Sequence, residues 1–214
     1  MTALHRKLVR DLLLMKGQAL AIALVIASGI AVFVMAVSTY NALDLTRQAY
    51  YDRYRFAEVF ASLKRAPLPL AERIAQIPGV AQVEPRVVMD VTLDMEGLSE
   101  PAVGRRISSP ADKRRLLSDV MLKAGGYLEP CRSNEVLVSE TFLKAHDMQP
   151  GASFEAVING SRQELTVVGV ALSPEYVLQI RPGEIIPDEK RFAIIWMDQR
   201  ELASAFDMEG AFNN

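Results

Sequence analysis

One run of nineteen almost wholly apolar residues, 19–37 (ALAIALVIASGIAVFVMAV), limits this chain more than any other feature. At about 1.5 Å of rise per residue, a helix of that length crosses the roughly 30 Å hydrocarbon core of a bilayer. No Asp, Glu, Lys or Arg occurs anywhere in residues 17–43, so the segment reads as a transmembrane helix. The competing reading is a secretory signal peptide, with the small residues Ala36, Ser38 and Ala42 near a cleavage site. Signal h-regions are about 7–15 residues long, and MTALHRKLVRDLLLMK is long and patterned for an n-region.

The flank before the span holds Arg6, Lys7, Arg10 and Lys16 against a single Asp11, which keeps it cytoplasmic by the positive-inside rule. Leu4, Leu8 and Leu12 recur every fourth residue, so residues 1–16 read as a basic amphipathic segment on the inner membrane face. A frayed basic tail gives the same topology. Within the span, Ala19, Ala23, Ala27 and Ala31 form an i+4 strip of small side chains, with Gly29 close by. Such a strip lets another helix backbone approach, so these four alanines are helix-packing candidates. Helical spacing continues through Tyr40, Leu43, Tyr50, Tyr51 and Tyr54, which predicts that residues 17–56 form a membrane helix extended as a stalk. Tyr40 suits an interfacial anchor.

Residues 57–214 read as an α+β extracytoplasmic domain with two β-rich subdomains, around 57–107 and 135–200. EVFASL predicts a strand, and LPLAERIAQIPGV a short helix stopped by Pro78 and Gly79. Val87, Met89, Val91, Leu93 and Met95 alternate with Val88, Asp90, Thr92, Asp94 and Glu96, the period of a half-buried strand. A partner strand is expected near residues 103–107. Pro110 is expected to open a short helix, and Gly125 and Gly126 mark a loop. NEVLVS predicts a strand, with Ser139 as N-cap of the helix that follows. Asn159-Gly160 between β-rich runs is a hairpin signal. FAIIWM gives another strand, and Asp198 and Glu201 have capping-box spacing before the last helix.

Against 24 Lys and Arg stand 26 Asp and Glu, a balance that argues against nucleic acid as a partner. The chain has no GxxxxGK[ST] loop and no GxSxG elbow, and its two His (His5, His146) and single Cys (Cys131) make no metal-ligand spacing. No catalytic, cofactor-binding or metal residue is therefore assigned, and the chain does not read as an enzyme. His146 reads as a helix-end residue, Cys131 as a buried or loop thiol or an intermolecular bridge, and Trp196 as core. Arg105, Arg106, Lys113, Arg114 and Arg115 read as a solvated face, with lipid headgroups or an acidic partner as the sharper option. The Pro- and Gly-punctuated loop of residues 173–191 is the candidate partner contact, through Tyr176, Arg181, Glu184 and Asp188.

With the basic start, the span and the stalk in place, IPGVAQVEPRV, NEVLVSETFLKAHDMQPGASFEAVINGSRQELTVVGVA and SPEYVLQIRPGEIIPDEKRFAIIWM resemble the extracytoplasmic core of MacB/FtsX-like ABC-transporter permeases. The resemblance implies a mechanical part without cofactors, in the bacterial inner (plasma) membrane. Its partners would be a cytosolic ABC ATPase subunit, a second permease, the lipid bilayer, and an extracytoplasmic protein, lipoprotein or small-molecule substrate. Such permeases carry at least three more membrane helices and a coupling segment after the core, whereas this chain ends at AFDMEGAFNN, so the expectation is a truncated or partial chain. The alternative is a single-pass anchored binding or adaptor module without transport activity.

Overall fold

The computed structural model describes residues 3–95, 97–111, 115–130, 132 and 134–214, without the side chains of residues 3, 4 and 12. The expectations for Glu96, Lys113, Arg114 and Cys131, and for the side chains of Leu4 and Leu12, lie outside the described residues. Two compact units are present, Met1–Ala49 and Tyr50–Asn214.

α1 (Ala3–Leu14) is interrupted at Met15, and α2 (Lys16–Arg53) then runs for 38 residues, its last four counted with the second unit. α2 is long and apolar enough to cross a membrane, and none of its residues is buried. Helix breakers are absent for a simple reason: after Gly29 there is no Gly or Pro before Ala66. The helix stops one turn short of the expected end, where Arg55 takes φ +49°.

In the second unit, EVFASL is not a strand. It has no regular structure; its Leu63 N–H donates to the Asn213 carbonyl, and the local ladder is the two-residue pair β1 (Ala66–Pro67) with β9 (Ala211–Phe212). Helix α3 (Pro69–Ala75) opens on Pro69 and ends before Pro78, as its sequence requires. The alternating strand is β2 (Val88–Asp94): Val91 and Leu93 are buried while Asp90, Thr92 and Asp94 face water. β3 (Ala102–Ser109) pairs antiparallel with it from Val88↔Ile107 to Leu93↔Ala102. No helix follows Pro110 among the described residues of the next segment, which leads into β4 (Met121–Gly125). The remaining strands are β5 (Glu135–Ser139), β6 (Ser153–Ile158), β7 (Ser161–Leu172) and β8 (Phe192–Asp198), with α4 (Glu140–Ala145) and α5 (Gln199–Ala205) following β5 and β8.

The two β-rich segments, expected as separate subdomains, share one sheet. The order is β4-β7-β5-β8-β3-β2-β6, and β6 returns to pair with β7, so six strands close a ring and β4 hangs on its outside. β7 makes this possible by its length. Ser161 to Thr166 pair with β6, and Thr166 to Ala171 pair with β5. Every ring strand sends residues into one buried cluster: Val91, Leu93, Ala102, Val136, Val138, Phe154, Ala156, Leu165, Ala193 and Ile195, with Phe142 and Leu143 of α4. A second cluster packs on the opposite face around Ile107, Leu137, Ile194 and Trp196. Strand β8 lies between both clusters. Six of its seven residues are buried, which is why FAIIWM is continuously apolar and does not alternate. The β6–β7 turn is Asn159-Gly160, with φ +46° and +78°, the left-handed pair of a tight hairpin.

Gly125 sits at φ +80°, and a Cβ there would lie 2.2 Å from the Val168 carbonyl oxygen. Gly125→Ala therefore meets both a left-handed backbone and a backbone clash, and should lose at least about 2 kcal/mol by chemical denaturation. An unchanged midpoint would show that β4 contributes nothing to the fold.

Candidate functional site

The loop between β7 and β8 is pinned at its roots. Ser173 caps a 3-10 turn (Pro174–Tyr176), its Oγ accepting from the Glu175 N–H at 3.3 Å. Tyr176 is half-buried, its ring edge-on to Trp196 at 6.5 Å; burial first, then the Glu175 carboxylate, raise its pKa. Arg181 pairs with Glu184 at 3.6 Å inside the loop. Asp188 Oδ1 accepts from the N–H groups of Lys190 and Arg191, both at 3.1 Å. At the far root, His146 donates from Nε2 to the Lys190 carbonyl at 2.9 Å, and its ring packs on Phe142. Thus His146 and Asp188 hold backbone, and Arg181 and Glu184 hold each other.

Sequence reasoning passed over the aliphatic residues of the same loop. Val177, Leu178, Ile185 and Ile186 are 71%, 67%, 91% and 77% exposed. Their bulk in a polar, Pro- and Gly-marked segment was the available signal. Exposed aliphatic side chains grouped this way mark contact surfaces on soluble domains.

The basic cluster is corrected by the structure. Arg106 and Arg115 are buried, at 0% and 2% exposure, and Arg105 is half-buried in a bidentate pair with Asp90 at 2.9 Å for both bonds. Strand geometry explains the difference: residues 105 and 106 are neighbours on β3, so their side chains leave on opposite faces, and Arg106 enters the interior beside α5. Its Nε, Nη1 and Nη2 have no hydrogen-bond partner among the described residues, and burial lowers its pKa to about 10 despite the Glu201 charge nearby. Glu201 itself accepts from the Asn134 N–H, and burial raises its pKa. The capping box is accordingly half made: Asp198 accepts from the Arg200 and Glu201 N–H groups, while the Glu201 carboxylate faces elsewhere. Ser139 occupies the expected N-cap position of α4, but its Oγ accepts from the Ile194 N–H and not from the helix.

Arg86 is buried in the opposite manner, fully partnered. Nη1 and Nη2 each donate to Glu175 at 2.5 Å, and Nε donates to Asn214 Oδ1. Burial opposes its charge, but the Glu175 contact outweighs burial and its pKa is raised. Asn213 and Asn214 also exchange backbone bonds with Arg86, and the Asn213 side chain bridges the Val88 N–H and carbonyl. Of these residues Arg86 and Asn214, far apart in sequence, line one wall of a cleft of about 670 Å³. Its apolar lining includes Phe56, Val59, Phe60, Val83, Leu117 and Phe212. An aromatic series leads to it, with Tyr51 stacked on Phe56 at 4.5 Å and Phe56 tilted against Phe60 at 5.6 Å. The Arg86 guanidinium lies 5.4 Å from the Phe60 ring centre. No sequence pattern announced this cleft.

Ala19, Ala23, Ala27 and Ala31 lie on α2 at the expected spacing; Ala23, Ala27 and Ala31 are exposed within the chain and Ala19 is half-buried. No group of three or more His, Cys, Asp and Glu able to hold a metal occurs among the described residues.

No family model matches the chain, and no curated protein matches it. Among solved structures it is similar to the extracellular domain of the ABC-type transporter YknZ from Gram-positive bacteria, at 15% identity and a TM-score of 0.41, over 72% of this chain and 74% of that one. It is also similar to the periplasmic region of MacB from Actinobacillus actinomycetemcomitans, at 13% identity and a TM-score of 0.41, over 72% of this chain and 63% of that one.

Proposed function

We propose that the chain is the membrane-anchored extracytoplasmic part of an ABC-transporter permease of the MacB/FtsX kind, relaying movement driven by a cytosolic ATPase to an extracytoplasmic partner or substrate. The observation that carries this reading is α2. Its 38 residues make about 57 Å of helix, nearly twice a hydrocarbon core of about 30 Å. A simple anchor needs only the apolar part. A helix that continues far beyond it serves to transmit displacement, and the closed strand ring is a stiff body to receive it. The sequence resemblance in residues 173–197 supports the same reading, and the alanine strip would seat α2 against further permease helices. The Arg and Lys excess before the span supports an N-terminus on the cytoplasmic side of a bacterial inner membrane.

Two measurements test this. In a Cys131→Ser background, Lys64→Cys should react with a membrane-impermeant maleimide in intact cells, and Lys7→Cys only after permeabilisation. The reverse pattern would reject the topology. Affinity capture of the chain from its native membranes should recover an ATPase bearing a GxxxxGK[ST] loop. Capture that recovers the chain in good yield without one would favour the second reading, a single-pass anchored binding module. That reading is supported by the cleft beside Arg86, which holds volume for a ligand without any helix movement.

A further inference from the structure

The cleft lined by Phe60, Val83 and Phe212 has a chemically lopsided wall. Arg115 lines it, is 2% exposed, and donates from Nε to Glu84 Oε1 at 3.0 Å. The other Glu84 oxygen is already taken by the Leu117 N–H. Arg115 Nη1 is buried and has no partner among the described residues. Arg86, the second guanidinium of the wall, is fully engaged by Glu175 and Asn214, and Asn214 donates onward to Ser62. The buried part of the wall therefore holds a donor without an acceptor, while each Glu84 oxygen already accepts a bond. Glu58, the other acidic residue of the lining, is exposed.

A buried donor left without an acceptor is costly, so the arrangement favours an occupant that brings one. The rest of the lining asks for aliphatic or aromatic bulk, and 670 Å³ lies within the range of small-molecule sites, about 300–1,000 Å³. We infer that this cleft binds a single-headed anionic amphiphile, an aliphatic chain ending in a carboxylate, with the chain against Phe60, Val83 and Phe212 and the head at Arg115. An uncharged apolar ligand would leave Nη1 unmet, and a cationic one would face it directly. The inference deepens the transporter reading by naming a ligand class. It rests on that reading only for what becomes of the ligand, since binding requires no ATPase.

The test is photolabelling of the full chain in zwitterionic nanodiscs with a diazirine-bearing long-chain fatty acid, compared with the matched fatty alcohol, followed by peptide mapping. The acid should label residues 56–63, 80–86 and 212 roughly ten-fold more than the alcohol, the size expected of one charge-assisted hydrogen bond. Arg115→Gln, which keeps an amide donor for Glu84, should erase that preference. Ala81→Trp, a change at an exposed lining position, should block labelling by both probes while leaving Arg115 in place. Adducts confined to residues 17–43, equal labelling of the cleft by acid and alcohol, or labelling unaffected by Ala81→Trp would each overturn the inference. If Arg115→Gln does not fold, the acid-to-alcohol ratio in the unaltered chain and the Ala81→Trp result decide. None of these readouts involves an ATPase, so failure here and failure of the transporter reading are separate results.

Discussion

Glu175→Ala is expected to remove about 3–5 kcal/mol of stability, the penalty of leaving a buried cation without its counter-ion. Arg86 is 5% exposed and loses both of its carboxylate bonds in this variant. Against a typical total of about 5–15 kcal/mol, that is enough to populate unfolded domain at ambient temperature. Chemical denaturation of the chain in nanodiscs would measure it. Hydrogen exchange would locate it, with protection falling first in residues 86–88 and 213–214, which are joined by the Arg86 backbone and by the Asn213 side chain on Val88. Replacing both partners, as Arg86→Met with Glu175→Leu, should recover most of the loss, because an apolar pair of similar volume carries no desolvation cost. A double variant no better than Glu175→Ala would mean that the Asn214 and Phe60 contacts of Arg86, rather than the ion pair, hold the region.

Arg106→Met is expected to act in the opposite direction, stabilising the domain by roughly 1–4 kcal/mol. Arg106 is as deeply buried as Arg86, but its three guanidinium nitrogens lack partners among the described residues. Its folded-state pKa is lowered to about 10 by burial. The sign follows from that direction. A cation whose folded pKa lies below its unfolded one is disfavoured by folding wherever it is charged in both states, that is, at all pH values below about 10. The advantage of Arg106→Met should therefore stay flat around neutrality and narrow only above about 10. A destabilised variant would mean that the guanidinium has an acceptor in solution.

The contrast between these arginines explains what could be read from the chain and what could not. Periodic, local features were legible: the apolar run of α2, the alternation of β2, the Asn159-Gly160 turn and the continuous apolar stretch of β8. Each is written within twenty or fewer consecutive residues. The partners of Arg86 lie 89 and 128 positions away, and nothing near Arg86 indicates them. Arg106 followed Arg105 in a basic cluster and so read as solvated, although alternation along a strand sends one of any two neighbours inward. β4 was missed because MLKAG has neither alternation nor β-branched residues, and it holds its place by pairing with β7. The merging of two expected subdomains had no local signal either, since it depends on β3 lying parallel to β8, about ninety residues later in the chain. Within the candidate contact loop, Tyr176, Arg181, Glu184 and Asp188 were singled out, while its exposed aliphatic side chains went unremarked.

Ring closure through β7 constrains how this domain can deform. Because β7 belongs to the seams with both β6 and β5, a one-residue slip at either seam must be matched around the whole circuit. Such a slip would also turn the interior side chains of the moving strand outward. Continuous creep between strands is therefore closed to it, in the way a keyed shaft cannot rotate inside its hub. Torque applied at any strand is carried by all six, and what yields first is the material outside the ring: the β1–β9 clasp, the Arg86 tie and the β7–β8 loop.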